Sequence, residues 1–231
     1  MSISSALRRH GLVKTTQLAV YRLAQRIMVL DVTHLVILDA NDALSPAVHD
    51  DLEFDFLTKD EVGALSQDGT NGLEASLADR MSSRGDLCFA ARANNRLAGY
   101  VWIAFDQVDA ESNRGASLLT GVGVSFPASI CFMYKGFVHR EFRGRQIYGR
   151  LMSRALTALA GRKITHMLST AEWTNFSALK SCYRIGVRYL GLIWRVGYSW
   201  RMCTVTPKSA RAMGIRFASR ACDAGRSSIV S

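Results

Sequence analysis

The sequence predicts an α/β (α+β) protein, a mixed sheet flanked by helices with an added basic helix at its N-terminal end. Three observations lead there. Short apolar runs rich in aromatic and β-branched residues alternate with segments of helical period. One pair of runs, "DLCFAARANNRLAGYVWIAF", meets at Asn94-Asn95, two residues that tolerate positive φ, which marks a hairpin. The chain has 231 residues, 48% of them hydrophobic and only three of them proline, which suits one folded domain with extensions.

Residues 5–30 read as a basic amphipathic helix, with Leu18, Tyr21, Ala24, Ile27 and Met28 at helical spacing and Lys14, Arg22 and Arg26 along another face. Such a helix packs on the domain or docks on a membrane surface or a partner. The nearest approach to a membrane span, "IMVLDVTHLVIL", is broken by Asp31 and His34. On this reading residues 1–50 are the helix and a connecting segment, 51–205 the folded domain, and 206–231 a basic tail.

Six acids fall between Asp50 and Glu61, where "EFDFL" alternates as a first strand should. Thr58 and Glu61 form a capping box that opens a short helix, and "GLEASLADRMSSRG" gives a second that ends at Gly85. After the hairpin, the polar loop "DQVDAESNRGAS" leads to "LLTGVGVSF" and to "SICFMYKGFVH", which reads as a central strand. From Ile147 the period is helical: Ile147, Leu151, Ala155, Leu156 and Leu159 share a face, Arg150 and Arg154 lie off it, and Gly161 is a stop. "ITHMLST" is a further strand, Asn175 caps a helix running to Gly186, and "VRYLGLIW" with "GYSWRMCTV" closes the sheet. The tail from Thr206 has sparse apolar residues and no sustained period, so it is expected to be loosely held.

Five cysteines, odd in number and without a CxxC pair or a zinc-type Cys/His spacing, suggest reduced thiols in a cytoplasmic protein and no metal. The leader lacks the compact apolar run and cleavage site of a secretory signal. Net charge is +10, and it is uneven: the first 30 residues carry five basic side chains and no acid, and residues 139–163 carry seven against Glu141. Such a field attracts polyanions, whether nucleic acid, anionic lipid, a nucleotide cofactor or an acidic carrier protein.

The stretch "FVHREFRGRQIYGRL", Phe137 to Leu151, is where that charge meets a strand end, a glycine turn and a helix start. This arrangement aims free backbone N–H groups and the positive end of a helix dipole at one point, which favours an anion. Arg143 and Arg145 add charge there, although an arginine in a turn is more often simply solvated.

The order of elements, over roughly residues 52–205, resembles the GNAT superfamily of CoA-dependent N-acetyltransferases. Val138, Arg143, Gly144, Ile147 and Leu151 match the family pattern V-x-P-x-x-R-G-x-G-I-G/A-x-x-L, whose amides grip the CoA pyrophosphate. Asn175, Ala178, Leu179 and Gly186-Val187 match the second signature, N-x-x-A/S followed by G-F. The resemblance implies a mostly antiparallel twisted sheet with a splayed fourth strand, and acetyl-CoA or another acyl-CoA held by Phe137, Val138, Arg143, Gly144, Arg145, Gln146, Ile147, Tyr148, Gly149 and Asn175. Gln146 and Tyr148 stand where the family prefers small residues, and Arg140 replaces its proline. A rival register begins the cradle at Gln146 and reaches Gly149.

The implied reaction is direct attack of an amine on the thioester, which needs a base, a polarised carbonyl and a proton for the leaving sulfur. Glu172, just past a strand end, is the candidate base; its alternative is a carboxylate held at a helix start. The family's tyrosine acid falls on Cys182, with Tyr183 one residue on and about 100° round the helix. His139 is assigned to the turn, and Trp173 and Phe176 either wall an acceptor pocket or join the core. The expected acceptor is a small amine or amino sugar. Two alternatives are an acyltransferase fed by an acidic acyl carrier protein, and a non-catalytic basic module for nucleic acid or anionic membrane.

Overall fold

The computed structural model describes residues 3–43, 51–114, 121–198 and 201–218. The chain runs α1 (Ile3–Ile27), β1 (Val29–Asp39), β2 (Glu53–Leu57), α2 (Lys59–Ser66), α3 (Ala75–Arg84), β3 (Leu87–Ala93) and β4 (Arg96–Phe105). It continues through β5 (Gln107–Val108), α4 (Ala110–Arg114), β6 (Gly123–Ser125), β7 (Ile130–Val138), α5 (Ile147–Ala158) and β8 (His166–Glu172). The last elements are α6 (Phe176–Tyr183), β9 (Arg188–Tyr198), β10 (Arg201–Val205), α7 (Lys208–Ala212) and β11 (Arg216–Ala218).

Eight strands form one sheet in the order β10-β9-β1-β8-β7-β4-β3-β2, antiparallel except for the parallel pair β7–β8. The mixed, mostly antiparallel sheet flanked by helices that the sequence predicts is therefore present, and its added N-terminal helix is α1. A small sheet, β11-β6-β5, lies beside it. Helix α5 covers one face through Ile147, Leu151, Ala155 and Leu156, which pack with Val36, Phe89, Val101 and Met133. The other face holds Leu35, Ile37 and Phe132 against Val124 and Ile215, and Tyr100 and Trp102 against Val62 and Leu77 of α2 and α3.

Local signals read from the sequence hold where the chain closes on itself. Asn94 and Asn95 sit at φ 48° and 62° in the hairpin turn between β3 and β4. The Thr58–Glu61 capping box is complete, and Gly85 ends α3 at φ 71°.

Four expectations are corrected. Residues 29–39, expected to be the last residues of the helix and part of a connecting segment, form the strand between β8 and β9. Leu35, Val36, Ile37 and Leu38 are all fully buried, because both sides of the strand are covered; the run therefore lacks the alternation of a half-exposed strand. Of the tail expected to be loosely held, residues 206–218 are held to the domain, with Ala210 of α7 and Ile215 buried against the sheet, and residues 219–231 lie outside the described residues. Arg150 is 3% exposed, its guanidinium 5.1 Å above the Phe54 ring, although its position in sequence is off the apolar face. The end of α5 comes at Ala158, and Lys163, not Gly161, takes the left-handed conformation after it. Of the polar loop and its sequel, residues 107–114 hold β5 and α4, while 115–120 lie outside the described residues, as does Cys222.

Candidate functional site

The site begins with a bulge. In the β4–β7 ladder Trp102 faces Lys135 and Ile103 faces Met133, so Tyr134 is an extra residue in β7. Its hydroxyl donates to Asp86 Oδ2 at 2.9 Å, and burial raises both the Asp86 carboxyl and the Tyr134 hydroxyl above their ordinary values. A bulge bends its strand, and β7 leaves β8 at this point: their parallel ladder runs from Ile130↔His166 to Met133↔Ser169 and stops. Ser169 Oγ closes the fork by donating to the Met133 carbonyl at 3.0 Å. Beyond it β7 stays with β4 as far as Val138, while β8 stays with β1 as far as Glu172.

The turn from β7 into α5 is the "RGRQIYG" segment. Arg143 is extended, Gly144 has φ +87°, and Gln146 takes the left-handed conformation (φ 58°) as the cap of α5. The first-turn N–H groups of a helix have no intrahelical acceptor, and here no acid stands in that turn to compete for them. Gln146 meets the tight backbone with its side chain exposed to solvent. Arg145 is drawn aside into an ion pair with Asp51. Arg143 donates from Nε to the Val138 carbonyl at 3.3 Å and borders the adjoining cleft.

That cleft, about 1230 Å3, brings together Arg143, Glu172 at the end of β8, and Asn175, Lys180, Tyr183 and Arg184 around α6. Asn175 caps α6 by accepting from the Ala178 N–H at 3.2 Å. Its opposite wall was not foreseen from sequence: Lys14, Leu18 and Arg22 of α1 line it, with Lys14 Nζ 4.8 Å above the Phe176 ring. The one available signal was the acid-free basic face of the first helix.

The remaining candidates have unlike surroundings. Cys182 is 1% exposed in the core, its Sγ 3.9 Å from Met152 Sδ, and burial pushes its thiol up to about 12. Tyr183, the next residue, is 48% exposed and faces the cleft. Gly149 marks the close approach of α5 to α6 and the residues after it: a Cβ there would meet the Ser181 carbonyl oxygen at 3.3 Å and Ile185 Cγ2 at 3.0 Å. Phe137 stacks on Tyr100 with centroids 5.5 Å apart, Val138 packs on the core, and Ile147 is buried in it, so these three contribute packing and backbone. His139 hydrogen-bonds the Asn71 side chain at 3.0 Å and belongs to the turn. Trp173 packs edge-on against Tyr21 of α1, centroids 5.4 Å apart.

Tyr148 occupies the fork itself. Its ring lies across Gly136 of β7, and its hydroxyl reaches Ser169 of β8; burial holds that hydroxyl well above its ordinary value. The unpaired N–H groups that open α5, with Arg143 beside them, suit an anion such as a pyrophosphate, while the Tyr148 ring stands in the fork. Among the described residues no three His, Cys, Asp or Glu side chains converge as metal ligands.

Residues 47–186 match the model of the acetyltransferase (GNAT) family. No curated protein matches the chain. Among solved structures, a conserved protein of unknown function from Staphylococcus epidermidis aligns with TM-score 0.50 at 12% identity, covering 78% of this chain and 66% of that one. A GNAT-family acetyltransferase from Colwellia psychrerythraea aligns with TM-score 0.50 at 11% identity over 74% of this chain and 57% of that one. The chain thus spans less than two thirds of these structures, and at such identities they speak to the fold alone. With the forked strands and the Arg-Gly turn in place, and the family model covering more than half of its length, the chain belongs to the acetyltransferase (GNAT) family.

Proposed function

We propose that the chain is an acetyl-CoA-dependent N-acetyltransferase acting on a small amine or amino-sugar acceptor. The observation that carries this is the meeting, in one cleft, of Arg143, from the turn that leads into α5, with Glu172 and Tyr183. When bound, acetyl-CoA supplies a thioester that an amine can attack.

The N–H groups opening α5 and the Arg143 guanidinium bind the pyrophosphate, with Lys180 and Arg184 adding positive charge along the same wall. Backbone groups of β7 past the fork orient the pantetheine amides, where β8 no longer takes them up. Glu172 holds the proton given up by the acceptor nitrogen, and the Tyr183 hydroxyl supplies one to the departing sulfur. Cys182 supports α6 from the core.

Calorimetric titration with acetyl-CoA and with CoA is the test. Both are expected to bind, and Arg143→Ala is expected to weaken each by about 1.5–3 kcal/mol, the range of a charge-assisted hydrogen bond. Absence of heat from either would remove the reading.

A further inference from the structure

Helix α1 is a ridge between two unlike hollows. Lys14, Leu18 and Arg22 face the cleft on one flank. On the other, Val13, Val20 and Ala24 border an apolar groove of about 570 Å3 floored by Leu30 and Val32 and walled by Trp194. Tyr21 fastens the helix to the sheet by accepting from the Val32 N–H at 3.2 Å. The crest is apolar as well: Leu12 is 72% exposed, Val13 71%, Val20 62%, Leu23 59% and Ile27 65%. Leu12, Thr16, Val20, Leu23 and Ile27 are spaced by three or four residues, so at about 100° per residue they form one outward stripe. A contiguous apolar patch of this kind marks a docking surface.

We infer that this face docks on an anionic lipid surface. Charge selects that occupant. Helix α1 carries Arg8, Arg9, Lys14, Arg22 and Arg26 and no acid, on a chain of net charge +10. A second copy packed α1 to α1 would bring these cations together with no carboxylate on either helix to pair them. A bilayer of anionic headgroups supplies the counter-charge, while the stripe and the half-exposed Trp194 enter the interface as an amphipathic helix and an interfacial aromatic do. No described helix is long and apolar enough to cross a membrane, so α1 lies in the surface. The cleft is then about one helix diameter, 10–12 Å, from the lipid.

The test is flotation of the full chain with phosphatidylglycerol vesicles and with phosphatidylcholine vesicles at low and high salt. Binding to the anionic vesicles is expected to exceed binding to the neutral ones by about tenfold and to fall with salt. Val20→Asp and Leu23→Asp are each expected to weaken it by about tenfold, with thermal unfolding and acetyl-CoA titration unchanged because both side chains are exposed. Equal affinity for both vesicle types, no flotation, or flotation unaffected by these substitutions overturns the proposal. So does sedimentation showing a dimer that Val20→Asp dissociates. The vesicle readout needs no cofactor, so it succeeds or fails separately from the acetyltransferase reading.

Discussion

Tyr148 and Gly136 are in direct contact across the fork: a Cβ on Gly136 would lie 2.5 Å from the Tyr148 ring. The turn proposed to cradle phosphate and the strand proposed to carry pantetheine are thereby linked by one aromatic side chain, and the contact works only while residue 136 has no side chain.

Replacing the ring should open the fork. Tyr148→Ala is expected to tighten CoA binding several-fold while costing about 1–3 kcal/mol of stability from lost packing. Gly136→Ala should push the ring out and be tolerated far better in the Tyr148→Ala background, giving a coupling of about 1 kcal/mol in a double-mutant cycle. Weaker CoA binding by Tyr148→Ala, read by calorimetry, would show that the ring helps to hold the cofactor.

Gln146 carries the left-handed conformation at the α5 cap, which costs an ordinary residue about 1–2 kcal/mol. Glycine relieves this but adds freedom to the unfolded chain, so Gln146→Gly should gain at most about 1 kcal/mol. A β-branched residue has no such relief. The expected stability order from urea unfolding is Gly above Gln above Val, and Val matching Gln would contradict the left-handed assignment.

Cys182 and Tyr183 are neighbours with opposite surroundings, one in the core and one on the cleft. Tyr183→Phe is expected to lower kcat by about 100-fold, the low end for a general acid, with little change in KM. Cys182→Ala should cost about 1 kcal/mol of stability and leave kcat nearly unchanged. The reverse pattern would move the acid into the core position. Among the described thiols, exposed Cys203 should react first with an alkylating reagent.

Glu61 gives a pH dependence of stability. The Thr58 backbone N–H, then the Arg92 guanidinium and the Thr58 hydroxyl, hold its carboxyl at about 2, below the usual 4.5. A depressed folded value means the contribution is complete above the unfolded pKa and is lost as pH falls through the folded one. The urea midpoint of the native chain should therefore fall more than that of Glu61→Gln between about pH 4.5 and about pH 2, and parallel curves would refute the link.

Where a feature depends on a few neighbours in sequence, it was legible. The Asn94-Asn95 turn, the Thr58–Glu61 box and the Asn175 cap each close within four residues, so side-chain chemistry alone specifies them. The strand at residues 29–39 was not legible, because burial on both faces removes the alternation that identifies a strand. Nor was the burial of Arg150, which depends on Phe54 being brought beside it from the far end of the sheet order.

The sequence by itself determined the alternation of helices and strands, the Arg-Gly turn at a helix start and the Asn175 cap, since local backbone preference and apolar period are properties of short segments; the link between that turn and Asn175 came from the family resemblance. Tertiary structure alone decided that Tyr148 fills the fork, that Tyr183 and not Cys182 reaches the cleft, and that α1 walls that cleft with cations while turning its apolar stripe outward. Those outcomes are set by which distant surfaces meet and by the few degrees of helix rotation that place one residue inside and its neighbour out.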